Sequence, residues 1–77
     1  MIKVTIGTNV DRKDIVVDPA VTLRSVLDEG NIDYTKGTMH LDGAALYPGD
    51  LDRAFLAFNI KERCFLLNVA KADNGAN

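Results

Sequence analysis

Two short segments near the start of the chain alternate between apolar and polar residues. Residues 2–6 read IKVTI, so every second side chain is apolar, and residues 13–17 read KDIVV, with Ile15 and Val17 on one side. Alternation with a period of two is typical of a strand that buries one face. The turn-forming residues 7–12 between the two segments therefore predict an N-terminal β-hairpin.

The segment after this hairpin has the pattern of a short α-helix. Thr22 can accept a hydrogen bond from a backbone N–H two or three residues ahead, which is the role of an N-cap. Apolar residues then recur at helical spacing at Leu23, Val26 and Leu27. Gly30 stands where a left-handed C-cap is expected. We predict a helix between Thr22 and Gly30 that is stabilised by packing on the sheet rather than by propensity.

Two turn signals lie within residues 41–50, LDGAALYPGD. An Asp-Gly pair favours a tight hairpin turn, so we predict that a strand at 39–41 turns back onto a stub strand at 44–46. Pro48-Gly49 predicts a type II turn, in which the glycine supplies a positive φ. The two signals thus bracket one very short strand.

A second, shorter helix is predicted after that turn. Apolar residues recur there at i, i+3, i+4 and i+7, namely at Leu51, Ala54, Phe55 and Phe58. Asp50 precedes them and is expected to cap this helix.

The last strand is predicted at residues 64–69, CFLLNV. Its side chains fall into two sets that point to opposite faces of the sheet. One set is Phe65, Leu67 and Val69, and the other is Cys64, Leu66 and Asn68.

The order of these elements predicts an α+β fold. One main helix crosses a mixed sheet of four or five strands and covers one face of it, with a short second helix beside it. We expect one domain over residues 1–70 and a flexible tail at 71–77, which shows no periodicity.

Several local motifs within this order are similar to those of ubiquitin and the β-grasp family. They are Val17-Asp18-Pro19 before a threonine-started helix, the strand, glycine turn and short strand of residues 41–46, and the segment 55–60 before the last strand. The resemblance covers residues 1 to about 69 and implies a ubiquitin-like β-grasp fold. It also implies that Phe65 and Leu67 occupy core positions of the last strand.

The chain departs from this family in two places. Ubiquitin-like modifiers and sulfur carriers end in Gly-Gly, which can enter a narrow activating channel, whereas this sequence ends DNGAN. Conjugation and sulfur carriage are therefore not expected. The resemblance also places Thr8, His40 and Asn68 where ubiquitin has an outer apolar patch. Since all three are polar, partners that recognise that patch are not expected to bind.

The composition of the chain disfavours several classes of function. The chain has 77 residues, 47% of them apolar and 26% charged, with a net charge of −2. These values fit one small folded domain rather than a disordered chain. An acidic chain with scattered lysines and arginines disfavours nucleic-acid binding, and no apolar run reaches the roughly 20 residues that span a bilayer. With one cysteine and no signal-peptide pattern, we expect a cytoplasmic protein.

The sequence contains few candidate residues for catalysis or for metal binding. Cys64 and His40 could share the outer face of the sheet, but a nucleophilic site also needs a third group and an oxyanion site. One His and one Cys do not complete a tetrahedral zinc site within one chain. We therefore predict no enzyme activity, no cofactor and no metal.

The function that the sequence favours is binding of another protein, as a small interaction domain or an accessory subunit. The candidate contact surface is the outer sheet face, with Thr5, Val16, His40, Cys64, Leu66 and Asn68. A partner strand added to the edge of the N-terminal hairpin is the other mode considered, and the chain itself is expected to be a monomer or a weak dimer.

Two other functions stay open at this point. One is a sulfur carrier or ubiquitin-like modifier with an atypical C-terminus. The other is an acidic inhibitor of a nucleic-acid-binding protein, which would require a cluster of acidic residues on one face. The residues concerned are Asp11, Asp14, Asp42, Asp50 and Asp52.

Overall fold

The computed structural model describes residues 1–8 and 10–69, and over this part of the chain it shows a mixed five-stranded sheet with one α-helix. The strands are β1 (Ile2–Thr8), β2 (Arg12–Val17), β3 (Thr38–Leu41), β4 (Ala44–Ala45) and β5 (Arg63–Val69), and the helix is α1 (Leu23–Glu29). The tail predicted at 71–77 lies outside the described residues. The predicted α+β class, the hairpin and the main helix are confirmed.

The strand order across the sheet is β2-β1-β5-β3-β4. β1 and β5 run parallel at the centre, and the other neighbouring pairs are antiparallel. The first and last strands of the described residues are therefore paired with each other, and β2 and β4 form the two edges.

The core lies between the sheet and α1. We call the face toward α1 the inner face and the opposite face the outer face. Twelve buried residues form the core cluster. They are Ile2, Val4, Ile6, Leu23, Val26, Leu27, Met39, Leu41, Leu51, Phe55, Cys64 and Leu66.

The helix begins as predicted and ends differently. The Thr22 hydroxyl oxygen accepts a hydrogen bond from the Ser25 backbone N–H at 3.1 Å, which is the predicted N-cap. Gly30 has φ −86°, so it is not a left-handed cap; the positive φ of 58° falls on Asn31. A Cβ at Gly30 would lie 2.5 Å from Cδ1 of Ile6. Glycine at this position therefore serves the close approach of α1 to β1.

Pro48-Gly49 does not form the predicted type II turn. Residues Pro48–Asp52 form a 3₁₀ helix, and Gly49 is not among the glycines with positive φ. Asp50 lies inside this 3₁₀ helix, and its carboxylate accepts a hydrogen bond from the Tyr47 backbone N–H at 2.9 Å. It therefore does not cap the next helix, contrary to the expectation from the sequence.

The predicted second helix is a second 3₁₀ segment, Phe55–Phe58. The helical periodicity is interrupted because Arg53 and Ala54 are extended. The Arg53 carbonyl accepts from Leu23 N–H at 3.1 Å, and Phe55 N–H donates to the Val21 carbonyl at 3.2 Å. These bonds tie the segment to the start of α1, and a continuous α-helix could not make them.

Candidate interaction surface

Strand register decides which side chains of β5 share a face. β1 and β5 are paired with Val4 beside Cys64 and Ile6 beside Leu66. Directly paired residues point to the same face of a sheet, and Val4 and Ile6 are fully buried. The set that contains Cys64 and Leu66 therefore lies on the inner face.

The prediction that Cys64, Leu66 and Asn68 contribute to an outer surface is therefore wrong. Their exposed fractions are 1%, 0% and 7%. The core positions implied for Phe65 and Leu67 are wrong for the same reason, because these residues are on the outer face. The whole strand is shifted by one residue relative to the prediction, and a shift of one reverses every side chain.

Asn68 has a structural role at its buried position. Its side-chain N–H₂ donates to the carbonyl oxygens of Asp33 at 3.1 Å and Lys36 at 2.7 Å, and it lies 3.3 Å from the Met39 sulfur. These bonds hold the connection between α1 and β3 against the end of β5. A buried amide with its donors satisfied is compatible with a core.

Cys64 and His40 lie on opposite faces, so they do not form a nucleophile and base pair. His40 is paired with Leu67 on the outer face, and one of its ring nitrogens lies 3.2 Å from the Thr38 carbonyl oxygen. Burial, and after it the charge of Asp42, raises the pKa of Cys64 to about 11. The thiol is therefore protonated at neutral pH, which is the opposite of a reactive cysteine.

Thr5, Val16 and His40 do lie on the outer face, as predicted. The Thr5 hydroxyl donates to Asp14 Oδ1 at 2.6 Å, and the Lys3 ammonium lies 3.6 Å from Asp14 Oδ2. The Thr5 hydroxyl first, and Lys3 after it, lowers the pKa of the Asp14 carboxyl. This part of the face is polar, and Lys3 and Asp14 form an ion pair there.

Three apolar residues of β5 lie in one row on the outer face. Phe65 is 39% exposed, Val69 is 37% exposed and Leu67 between them is half-buried. We call these three residues the outer β5 row. With about 3.3 Å per residue, the row extends over about 13 Å. Sequence reasoning missed it by assigning these side chains to the core.

The neighbours of the outer β5 row are mostly polar. Thr5 of β1 is beside Phe65, and His40 and Thr38 of β3 are beside Leu67 and Val69. Val16 is 65% exposed but lies on β2, with Lys3 of β1 between it and β5. Val16 is therefore separate from the row.

The sequence of residues 64–69 gives only a weak signal for the outer β5 row. Both alternating sets of residues 64–69 contain large apolar side chains, and the lone polar member, Asn68, favours the wrong face until its buried partners are known. The sequence feature that indicates the buried face of β5 lies in β1. The inner set of residues 2–6 is fully apolar, and its parallel pairing with β5 assigns Cys64 and Leu66 to the same face.

A groove of about 400 Å³ lies between the α1–β3 connection and the first 3₁₀ helix. Its one charged lining residue, Arg24, is already engaged. The Arg24 Nε–H donates to Asp52 Oδ1 at 2.7 Å, and the guanidinium carbon lies 5.2 Å from the centre of the Tyr34 ring. These contacts account for Arg24 without a ligand.

Most of the acidic residues considered for mimicry of a nucleic acid contact separate groups of the domain. Asp14 contacts Thr5 and Lys3, Asp42 accepts from the Phe65 backbone N–H at 2.8 Å, and Asp52 pairs with Arg24. This distribution does not support an acidic docking face. Within residues 1–8 and 10–69, three or more His, Cys, Asp or Glu side chains do not come together as metal ligands.

The described helices are also too short and too polar to span a bilayer, since α1 has 7 residues.

Comparison with known proteins shows a likeness in structure. The chain is similar to an NMR structure of the Arabidopsis thaliana protein At2g32350, which was determined by combining evolutionary couplings with sparse NMR data. The two share 25% sequence identity and a TM-score of 0.60, over 99% of this chain and 93% of that chain. No protein-family model matches the chain, and no curated protein matches it.

Proposed function

We propose that this chain is a non-enzymatic protein–protein interaction domain that binds a partner protein through the outer β5 row. The observation that carries the proposal is the position of the row. Phe65, Leu67 and Val69 expose apolar surface on a central strand. In a sheet with one solvated face, the residues on that face are usually polar. Contiguous apolar surface with a polar rim is typical of a protein contact.

The polar neighbours of the row suit a contact of this kind. Thr5, Thr38 and His40 can offer hydrogen bonds around the apolar centre, and Asp14 and Lys3 form a paired charge at one side. A polar rim of this kind would exclude water from the row. The non-enzymatic part of the proposal is supported by the separation of His40 from the buried, protonated Cys64.

We further infer that the domain is a ubiquitin-like β-grasp domain of the cytoplasm. The parallel central pair β1–β5, together with the helix between the N-terminal hairpin and β3, supports this inference. One cysteine in the whole sequence supports a reducing compartment. An experimental structure with β1 and β5 antiparallel would remove the basis of the fold assignment.

Photocrosslinking tests the binding surface directly. Phe65 is replaced by the photoreactive p-benzoylphenylalanine in cells that express the protein, and a second variant carries the same replacement at Leu56, which is 62% exposed and outside the sheet. We expect a discrete crosslinked product from position 65 and none from position 56.

The specificity of that product is tested with a second substitution. Leu67→Ser in the same protein should reduce the crosslink from position 65 at least tenfold, because it removes the middle of the apolar row. Circular dichroism confirms that each variant is folded. Equal labelling from positions 65 and 56, or labelling that is indifferent to Leu67→Ser, contradicts the proposed surface.

A further inference from the structure

The edge strand β2 presents a row of free backbone groups. Thr8 N–H bonds the Asp11 carbonyl at 2.7 Å, toward β2, whereas Lys3 N–H bonds the Glu62 carbonyl at 2.9 Å, on the β5 side. Even-numbered residues of β1 therefore bond to β2, and the β2 residues paired with them are 13, 15 and 17. By the alternation of an antiparallel ladder, Arg12, Asp14 and Val16 direct their N–H and C=O groups away from the sheet.

Apolar side chains accompany this open edge. Ile15 and Val17 point toward α1 but are only half-buried, and Val16 on the outer side is 65% exposed. A groove of about 230 Å³ runs beside them, and its lining includes Val26 and Gly30 together with the charged residues Lys13 and Glu29. A strand with apolar residues at alternate positions would fill this groove while it bonds to the edge.

The sequence of β2 meets that requirement itself. A second copy of β2 would pair antiparallel about a two-fold axis. Because outward-directed residues must face each other across the new ladder, the axis has to pass through a residue rather than between two residues. An axis that pairs at least three residues of β2 with β2 of the second copy lies at Lys13, Asp14, Ile15 or Val16.

Charge selects one of these four registers. An axis at Lys13 or Asp14 places that residue opposite its own copy, and an axis at Val16 places Asp14 opposite Asp18, so that like charges face each other in all three. An axis at Ile15 places Ile15 opposite Ile15 of the second copy. Arg12 then lies opposite Asp18 of the second copy, and Asp14 forms a hydrogen-bonded pair with its Val16.

We propose that two copies of this chain associate through antiparallel pairing of β2 about an axis at Ile15. The two sheets join into one sheet of ten strands, with Asp14 and Val16 of each copy exchanging backbone hydrogen bonds. Two Arg12–Asp18 pairs close the ends, and the half-buried Ile15 and Val17 of both copies are covered. A strand from a different protein is the competing occupant of the edge.

Cysteine crosslinking tests the register. Residues opposite each other in a pair without mutual hydrogen bonds have Cα atoms about 4.5 Å apart, which a disulfide can bridge. Ile15→Cys should therefore form a covalent dimer under mild oxidation. Val17→Cys is the matched control, because Val17 faces Lys13 of the second copy and the two substituted positions would be about 13 Å apart. We expect crosslinking at position 15 to be at least tenfold faster. The native Cys64 is buried and takes no part.

Sedimentation velocity over a range of protein concentrations tests the ladder. Wild type should show a concentration-dependent shift from monomer to dimer. Val16→Pro should weaken association at least tenfold, since proline removes an outward N–H that the isolated monomer does not use, and Val16→Thr should associate as wild type does.

Amide hydrogen exchange is measured on the wild-type protein, so this test does not depend on the folding of a variant. The N–H groups of Arg12, Asp14 and Val16 should exchange more slowly as protein concentration rises. Equal crosslinking at positions 15 and 17, or a dimer that persists in Val16→Pro, would overturn the proposal. A chain that stays monomeric at every concentration would overturn it too, and would leave the edge to a strand of another protein.

Discussion

Asn68 shows how one side chain can mislead about the face of a strand. An amide in an otherwise apolar segment is usually solvated, but here its donors reach the carbonyls of Asp33 and Lys36. The cost of burying the amide is offset because those bonds replace the bonds to water. The polarity of a residue therefore does not decide its burial when the backbone supplies partners.

Cys64 makes the stability of the fold depend on pH in the alkaline range. Burial raises its pKa from 9.0 to about 11, so the unfolded chain loses the thiol proton at a lower pH than the folded chain does. Stability from this group is complete below pH 9 and is lost as the pH rises toward 11. The loss is about 2–3 kcal/mol, because each pKa unit corresponds to about 1.4 kcal/mol.

Urea unfolding of wild type and Cys64→Ala at pH 8 and pH 11 measures this effect. The variant is expected to be less stable at pH 8, since it leaves a small cavity, but its stability should fall less between the two pH values. Other groups titrate in both proteins and cancel in the comparison. Parallel losses in the two proteins would show that the thiol does not contribute.

At the scale of elements, the two hairpins depend on glycine for different reasons. Gly43 has φ 88° and follows Asp42 at φ 51°, as a two-residue turn with two positive φ values requires. A Cβ at Gly43 meets nothing within 4 Å. Gly7 has φ 140°, and a Cβ there would lie 2.0 Å from the backbone oxygen of Asp11. The first hairpin therefore has no room for a side chain at its glycine.

Alanine substitution at each glycine separates conformational strain from steric overlap. Gly43→Ala should lower the free energy of unfolding by about 1 kcal/mol, which is the strain of a left-handed residue. Gly7→Ala should lower it by about 3 kcal/mol or more, since the backbone must also move. Thermal or denaturant unfolding measures both. Similar losses at the two positions would contradict the close contact at Gly7.

At the scale of the molecule, β5 joins two parts of the sheet. It lies between β1 and β3, so the N-terminal hairpin and the β3–β4 hairpin belong to one sheet only through it. Because this central pairing links the two ends of the described chain, it closes the longest loop of the fold. The sheet is thus complete only after the last strand has joined.

Native-state hydrogen exchange at low protein concentration should reproduce this arrangement. Amides of β1 that bond toward β5, such as Lys3, should exchange only through global unfolding. The outward amides of Arg12, Asp14 and Val16 should exchange at least a hundredfold faster, because they have no ladder partner in the monomer. Protection of these edge amides in a dilute monomer would contradict the assigned direction of β2.

The sequence by itself determined the local features of this protein. Alternation in residues 2–6 and 13–17, the cap at Thr22 and the Asp-Gly turn at 42–43 depend on neighbours within a few positions, and the structure has all of them. Helical spacing in residues 51–58 was not sufficient, because hydrogen bonds to the start of α1 divide that segment into two 3₁₀ helices.

Only the tertiary structure decided which face of β5 is buried, and with it the candidate surface. Both alternating sets of residues 64–69 contain large apolar side chains, so period two allows either orientation of the strand. Pairing with β1, at the other end of the chain, places Leu66 beside Ile6 and leaves Phe65, Leu67 and Val69 toward solvent. The physical reason is that the phase of a strand is set by the strand beside it rather than by its own sequence.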